Sequence, residues 1–114
     1  MDENKKYEFV PTDRIFYKGL MLQRIVALKD FGDVKAGDQG GYVQVGGYAK
    51  PDKLLSQEGN CWIYDDSKSY GEAEVKDNAV IKENSEVFGW TVVDGDTVID
   101  GGQSIFTPRP EVVE

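Results

Sequence analysis

The sequence predicts an all-β protein: a short parallel β-helix of about two and a half coils, capped by an N-terminal β-rich segment. Three observations carry that expectation. From Cys61 to Ile105 the residues repeat with a period of six. Within each hexad a small residue (Cys61, Ser67, Ala73, Ala79, Ser85, Thr91, Thr97) stands two before an aliphatic one (Ile63, Val75, Ile81, Val87, Val93, Ile99, Ile105). That spacing sends both side chains to one face of a short strand. The next two positions are mostly Asp, Asn, Glu or Gly, which turn the chain. Strand and corner alternating at fixed spacing are the mark of a solenoid.

The elements follow in order. Lys5–Val10 reads as a strand with Tyr7 and Phe9 on one face, broken by Pro11, Thr12 and Asp13. Ile15–Tyr17, a turn at Lys18-Gly19 and a strand from Leu20 to Leu28 come next, with Gln23 and Arg24 interrupting an otherwise apolar run. Phe31–Gly41 is rich in Gly and Asp and reads as loop or bulged turn. Tyr42–Val45 reads as a short strand and Gly46–Lys53 as a second loop, after which Leu54 and Leu55 lead into the first coil. No stretch holds a helical period over eleven residues, so little helix is expected. Thr107-Pro108-Arg109-Pro110 cannot continue a ladder and should leave the body. The expected units are a cap over 1–54, a repeat over 55–107 and a tail over 108–114. Ser69 in an aliphatic position and Gln103 in a small one predict fraying at the two ends of the repeat.

The repeat resembles the hexapeptide-repeat family, whose left-handed β-helix has triangular coils of three hexads. Val75 to Ala79, Ile81 to Ser85, Val87 to Thr91 and Val93 to Thr97 keep its aliphatic-to-small spacing. RIVALKDFGDVKAGDQGG (Arg24–Gly41) followed by SQEGNCWIYD looks like the N-terminal part of the YdcK-like branch, common in phages and prophages and named as transferase by analogy of fold. Left-handedness is implied by this resemblance alone, because the general rule for parallel crossovers is right-handed.

With eighteen residues per coil, three outward columns follow. The first holds Trp62, Val80 and Val98, beside Tyr64, Lys82 and Asp100. The second holds Tyr70, Phe88 and Phe106, beside Lys68, Glu86 and Ser104. The third holds Glu74 and Val92 beside Lys76 and Asp94, and Trp90 sits at a corner. Outward apolar ladders of this kind mark contact surfaces, unless the cap folds over them. The expected interaction residues are therefore Trp62, Tyr70, Val80, Phe88, Trp90, Val98 and Phe106, with a homo-oligomer, dimer or trimer, as one outcome.

Charge is segregated. Residues 1–60 are neutral, with nine acids and nine bases, whereas 61–105 carry ten acids against Lys68, Lys76 and Lys82. An acidic surface of Asp65, Asp66, Glu72, Glu83, Asp94, Asp96 and Asp100 repels nucleic acid and attracts a basic protein partner. The same acids also serve as solubilising turns. There is no apolar run of membrane-spanning length and no signal-like stretch in Met1–Tyr7, and the lone Cys61 suits a reducing cytoplasm, where it reads as a packed thiol.

The chain has no histidine, which removes the commonest general base near neutral pH and the usual metal constellations. Where the mechanism of hexapeptide-repeat acyltransferases is known, it relies on that residue, so no enzyme, cofactor or metal is expected here. Asp65, Asp66 and Glu83 would stack one coil apart and offer hard oxygens to a cation such as Ca²⁺, but turn chemistry accounts for them without one. The leading expectation is a non-catalytic protein-binding module, a phage-type inhibitor of a host defence protein (anti-CRISPR-like). Its acidic face would partly mimic nucleic acid, with the aromatic ladder as anchor. The alternative is an oligomerising module of a phage or bacterial assembly; acyl transfer and small-molecule binding rank lower.

Overall fold

The computed structural model describes residues 5–111. The N-terminal residues Met1–Asn4, read above as lacking a signal, and the last three of the tail lie outside them. Among the described residues there are eleven strands and one helical turn: β1 Tyr7–Tyr17, β2 Leu20–Ala27, β3 Gln39–Gln44, α1 Pro51–Leu54, β4 Trp62–Ile63, β5 Lys68–Ser69, β6 Glu74–Val75, β7 Val80–Ile81, β8 Glu86–Gly89, β9 Val92–Val93, β10 Val98–Ile99 and β11 Ser104–Thr107.

From β4 onward the strands pair in parallel, each with the one eighteen residues later. Trp62 pairs with Val80 and Val80 with Val98; Lys68 with Glu86 and Glu86 with Ser104; Glu74 with Val92. The hexads therefore form three walls: β4-β7-β10, β5-β8-β11 and β6-β9. Across each gap an N–H of one coil donates to a carbonyl of the next, as in Trp62 to Ala79 (3.1 Å), Lys82 to Ile99 (2.8 Å) and Glu86 to Gln103 (2.8 Å). The small and aliphatic positions point inward. Cys61, Ile63, Ala73, Val75, Ala79, Ile81, Val87 and Val93 are all buried, and Ile99 and Ile105 partly so in the final coil.

The cap joins this stack as sheet, not as a separate lobe. β1 and β2 form an antiparallel hairpin, β2 pairs with β3, and β3 runs parallel to β5, giving one sheet ordered β1-β2-β3-β5-β8-β11. Tyr7, Ile25, Ala27, Val34, Val43, Leu54 and Leu55 share one apolar cluster with the coil interior.

Four local expectations need correction. Pro11–Asp13 do not end the first strand: β1 runs through them, with a register shift between Phe9 and Arg14 that leaves Pro11 no ladder bond to miss. The shift bends the hairpin, so its Tyr7 end packs on the main core and its Tyr17 end joins a second cluster around Leu22, Tyr42 and Tyr70. Gly40 and Gly41, read as turn residues, lie inside β3. A Cβ on Gly40 would sit 2.7 Å from Ile25 and from the Ile63 carbonyl, and one on Gly41 2.2 Å from the Ser67 carbonyl, so close approach requires them. The loop expected over Gly46–Lys53 ends in the helical turn α1, which Pro51 starts and which runs on to Leu54.

Ser69 does not fray. It is buried and its hydroxyl donates to the Leu54 carbonyl at 2.8 Å. At the opposite end Gln103 and Thr97 are exposed, and among the described residues no strand follows Thr107. Among the described residues no helix is long and apolar enough to cross a membrane.

A buried lysine closes the cap end of the stack. The Lys6 ammonium donates to the Cys61 carbonyl at 2.8 Å, and lies 3.3 Å from the Gly59 carbonyl and from Cys61 Sγ and 3.4 Å from the Glu58 carbonyl. Elsewhere such carbonyls receive an N–H from the preceding coil; here a side chain supplies the donor. Burial depresses the Lys6 pKa, partly countered by Cys61.

Candidate functional site

The outward columns expected from the period are the columns observed, but the cap covers the first rung of two of them, Trp62 and Tyr70, and leaves Glu74 of the third half-buried. Trp62, 1% exposed, meets Tyr7 and Phe31 edge-on with ring centres 6.2 and 5.2 Å away. Tyr70, 3% exposed, meets Tyr17 edge-on at 5.8 Å. Both were expected at a contact surface and are core residues instead, because the bent hairpin and the loop around Phe31 fold onto them.

Lower rungs stay open. On the β5-β8-β11 wall, Phe88 stacks parallel on Tyr70 at 5.0 Å and meets Phe106 tilted at 5.2 Å, and Phe106 is 58% exposed. On the β4-β7-β10 wall, Val80 is half-buried and Val98 is exposed. Trp90, 37% exposed at its corner, has Lys53 Nζ at 5.3 Å and the Arg109 guanidinium at 6.0 Å over its ring.

A carboxylate holds the hairpin against the aromatic wall. Glu86 accepts from the Tyr17 hydroxyl at 2.6 Å and from the Tyr70 hydroxyl, with Lys18 Nζ at 3.5 Å. Burial opposes the charge of Glu86, but the two hydroxyls and Lys18 outweigh it and hold its pKa below the ordinary glutamate value. Burial and the same carboxylate push the Tyr70 phenol well above its usual value.

Arg24 organises the neighbouring corner. Its Nε meets Asp13 Oδ2 at 2.5 Å, one terminal nitrogen donates to the Gly40 and Asp65 carbonyls at 2.8 and 3.1 Å, and the other to Tyr42 Oη and Asp66 Oδ1 at 2.9 Å. The guanidinium stands 4.4 Å from the Tyr42 ring centre. Burial works against its charge, yet Asp66 and Asp13 more than compensate and its pKa rises.

Several of the acids have work inside the fold. Asp65 accepts from the backbone N–H of Glu83 at 2.9 Å and of Asn84 at 3.0 Å, eighteen and nineteen residues on, and from the Ser67 hydroxyl at 3.1 Å. Glu83 in turn accepts from the Gly101 N–H at 2.9 Å, and Asp77 from the Gly95 N–H at 2.9 Å. Ser67 and Ser85 hydroxyls accept from the N–H groups of Ser85 and Gln103. Turn chemistry therefore acts between coils: the carboxylate of one coil caps the corner of the next. Burial raises the Asp65 pKa, but these donors overcome it and the net shift is downward.

Asp66 turns to Arg24, Asp65 to the next corner and Glu83 to the one after, so the three do not converge. Among the described residues no group of three or more acids or cysteines is arranged to hold a metal ion. Glu72 faces Lys53 at 3.7 Å and Asp96 accepts from the Asn78 amide at 3.2 Å, while Asp94 is exposed and Asp100 half-buried. Asp33, Tyr64, Val80, Lys82, Glu83 and Val98 surround an open groove of about 520 Å³ on the β4-β7-β10 wall.

Sequence reasoning did not find Lys6, Glu86 or Asp77. Glu86 had a signal, an acid two before Phe88 in a column of aromatics. Arg24 also had one, a charge inside an apolar strand. Lys6 carried none, since its burial depends on the chain closing over the first coil.

No family model matches the chain. The chain is similar to the uncharacterized acetyltransferase YdcK of Escherichia coli (strain K12), with 35% identity over 82 residues, covering 65% of this chain and 23% of that protein. It therefore spans about a quarter of the length of the curated relative it matches.

Proposed function

We propose that the chain is a non-catalytic protein-binding module whose acidic coils engage a basic protein partner. The observation carrying this reading is the separation of charge and contact area. The coils hold ten acids against three lysines, and the rungs left open by the cap expose Val98 beside Asp33 and Glu83, Phe106 on the next wall and Trp90 at a corner. Opposite charge steers and selects the partner, while desolvated rings and aliphatics supply the anchor. The finer form of the reading is a phage-type inhibitor of a host defence protein acting in the host cytoplasm, on a left-handed coil that self-associates through its aromatic wall. It draws on the resemblance to the YdcK-like branch and on the acidic surface.

A second reading is acyl transfer, favoured by the name of the similar protein. Against it stands a chain with no histidine to act as base. Incubation with acetyl-CoA and a panel of amine and hydroxyl acceptors separates the two. The binding reading predicts release of free CoA no faster than the buffer blank. It also predicts association with a basic partner that weakens steeply between low and high salt. Acceptor-dependent CoA release, or partner binding indifferent to salt, overturns it.

A further inference from the structure

We propose that the groove on the β4-β7-β10 wall is the seat of an arginine side chain from an extended segment of a protein partner. This rests on the reading of the coils as a surface for a basic partner, and it assigns the spot and the residue type.

The groove, of about 520 Å³, is lined by Val80, Val98 and Tyr64 together with Asp33 and Glu83. Asp33 comes from the cap and Glu83 from a coil corner, so the groove draws on both parts of the fold. With Asp65 the lining brings three carboxylates to one lysine, Lys82, a local balance of −2. An occupant must therefore be cationic at its tip and apolar along its stem. Arginine meets both needs, with methylenes lying on the valines and a planar head that stacks on a ring and forks to two carboxylates.

The molecule already holds one arginine in this manner. Arg24 lies 4.4 Å from the Tyr42 ring centre between Asp13 and Asp66, one wall away. Tyr64 with Asp33 and Glu83 offers a more open version of the same combination, since only one Glu83 oxygen, Oε1, accepts from the Gly101 N–H. Asp33 is near enough to Tyr64 to help burial raise the phenol pKa. Asp65 takes little part, since its carboxylate is occupied by the N–H groups of Glu83 and Asn84. A second copy of the chain suits the groove poorly, because each copy carries a net charge of −8. Nucleic acid is excluded by the same sign of charge.

The test is an amide NMR titration of the full chain with hexa-arginine, with hexa-lysine and hexa-glutamate as comparators. Saturable shifts at Asp33, Tyr64, Val80, Lys82 and Val98 are expected, with hexa-arginine binding more tightly than hexa-lysine and hexa-glutamate causing none. Asp33→Asn should weaken hexa-arginine about fivefold, the worth of one partly exposed charge pair. Lys82→Gln should tighten it by a similar factor, and that gain does not depend on an impaired fold. Shifts centred on Phe88 and Phe106 overturn the groove while leaving the acidic binding reading intact. No shift anywhere at low salt overturns both. Equal binding of the two cationic peptides overturns the choice of arginine, and shifts at Val98 on concentrating the chain alone assign the groove to a second copy instead.

Discussion

Removing the Asp65 carboxylate tests whether acids in the corners hold the coils together. Asp65 sits at φ 46°, a left-handed conformation that costs most residues about 1 kcal/mol and asparagine or glycine less. Its oxygens meet two backbone N–H groups of the next coil at 2.9 and 3.0 Å and the Ser67 hydroxyl at 3.1 Å. Hydrogen bonds to a charged acceptor contribute about 1.5–3 kcal/mol when buried, and solvent at this exposed corner brings the expectation for the set to about 1–2 kcal/mol. Asp65→Ala loses those bonds and adds the backbone cost, for about 2–3 kcal/mol in total. Asp65→Gly loses the bonds but relieves the backbone, for about 1–2 kcal/mol. Asp65→Asn keeps one acceptor and the turn preference, for less than about 1 kcal/mol. Urea unfolding followed by far-ultraviolet circular dichroism would read the series, with each kcal/mol moving the thermal midpoint by roughly 4 °C. The order Ala, Gly, Asn from worst to mildest is the prediction. Three variants within error of the parent would refute the corner argument, and Ala equal to Gly would refute its backbone part.

The remaining predictions concern acid, the plugged end and the open wall. Asp13, Asp65 and Glu86 have folded-state carboxyls held below their ordinary values, so the unfolded chain takes up protons first. Their stabilisation is complete above about pH 5 and lost as pH falls through the lower folded values, which urea midpoints from pH 7 to pH 2 would show; a flat profile contradicts it. Lys6→Met leaves the Cys61, Gly59 and Glu58 carbonyls without their donor and should cost about 1–3 kcal/mol by urea unfolding. A gain in stability would mean that relieving the buried charge outweighs the lost bonds. Phe106→Glu should reduce any self-associated form to the mass of the 12.7 kDa chain by light scattering, with an unaltered circular dichroism spectrum. An unchanged mass would place the self-contact away from the aromatic wall.

The coil was legible because its information is local. Every hexad states the same small-to-aliphatic spacing, so the columns Trp62-Val80-Val98 and Tyr70-Phe88-Phe106 follow from counting. The cap was legible only as strands. Which faces it hides depends on the bend at Pro11–Asp13, and that bend goes with a register shift between the two strands of the hairpin rather than with any single residue. Gly40 and Gly41 misled for the same reason: glycine signals a turn in isolation, but here it makes room for Trp62, Ile63 and the Ser67 carbonyl. The acids were visible as charge, whereas their partners eighteen residues away became visible only once the coils were stacked.

Long-range HNCO spectroscopy, which detects couplings through hydrogen bonds, tests the eighteen-residue stack most directly. Cross-peaks from the amide of Trp62 to the carbonyl of Ala79, from Lys82 to Ile99 and from Glu86 to Gln103 are the predicted result. Couplings between segments six or twelve residues apart, or none across these gaps, would contradict the stack and with it every wall assigned to the surface.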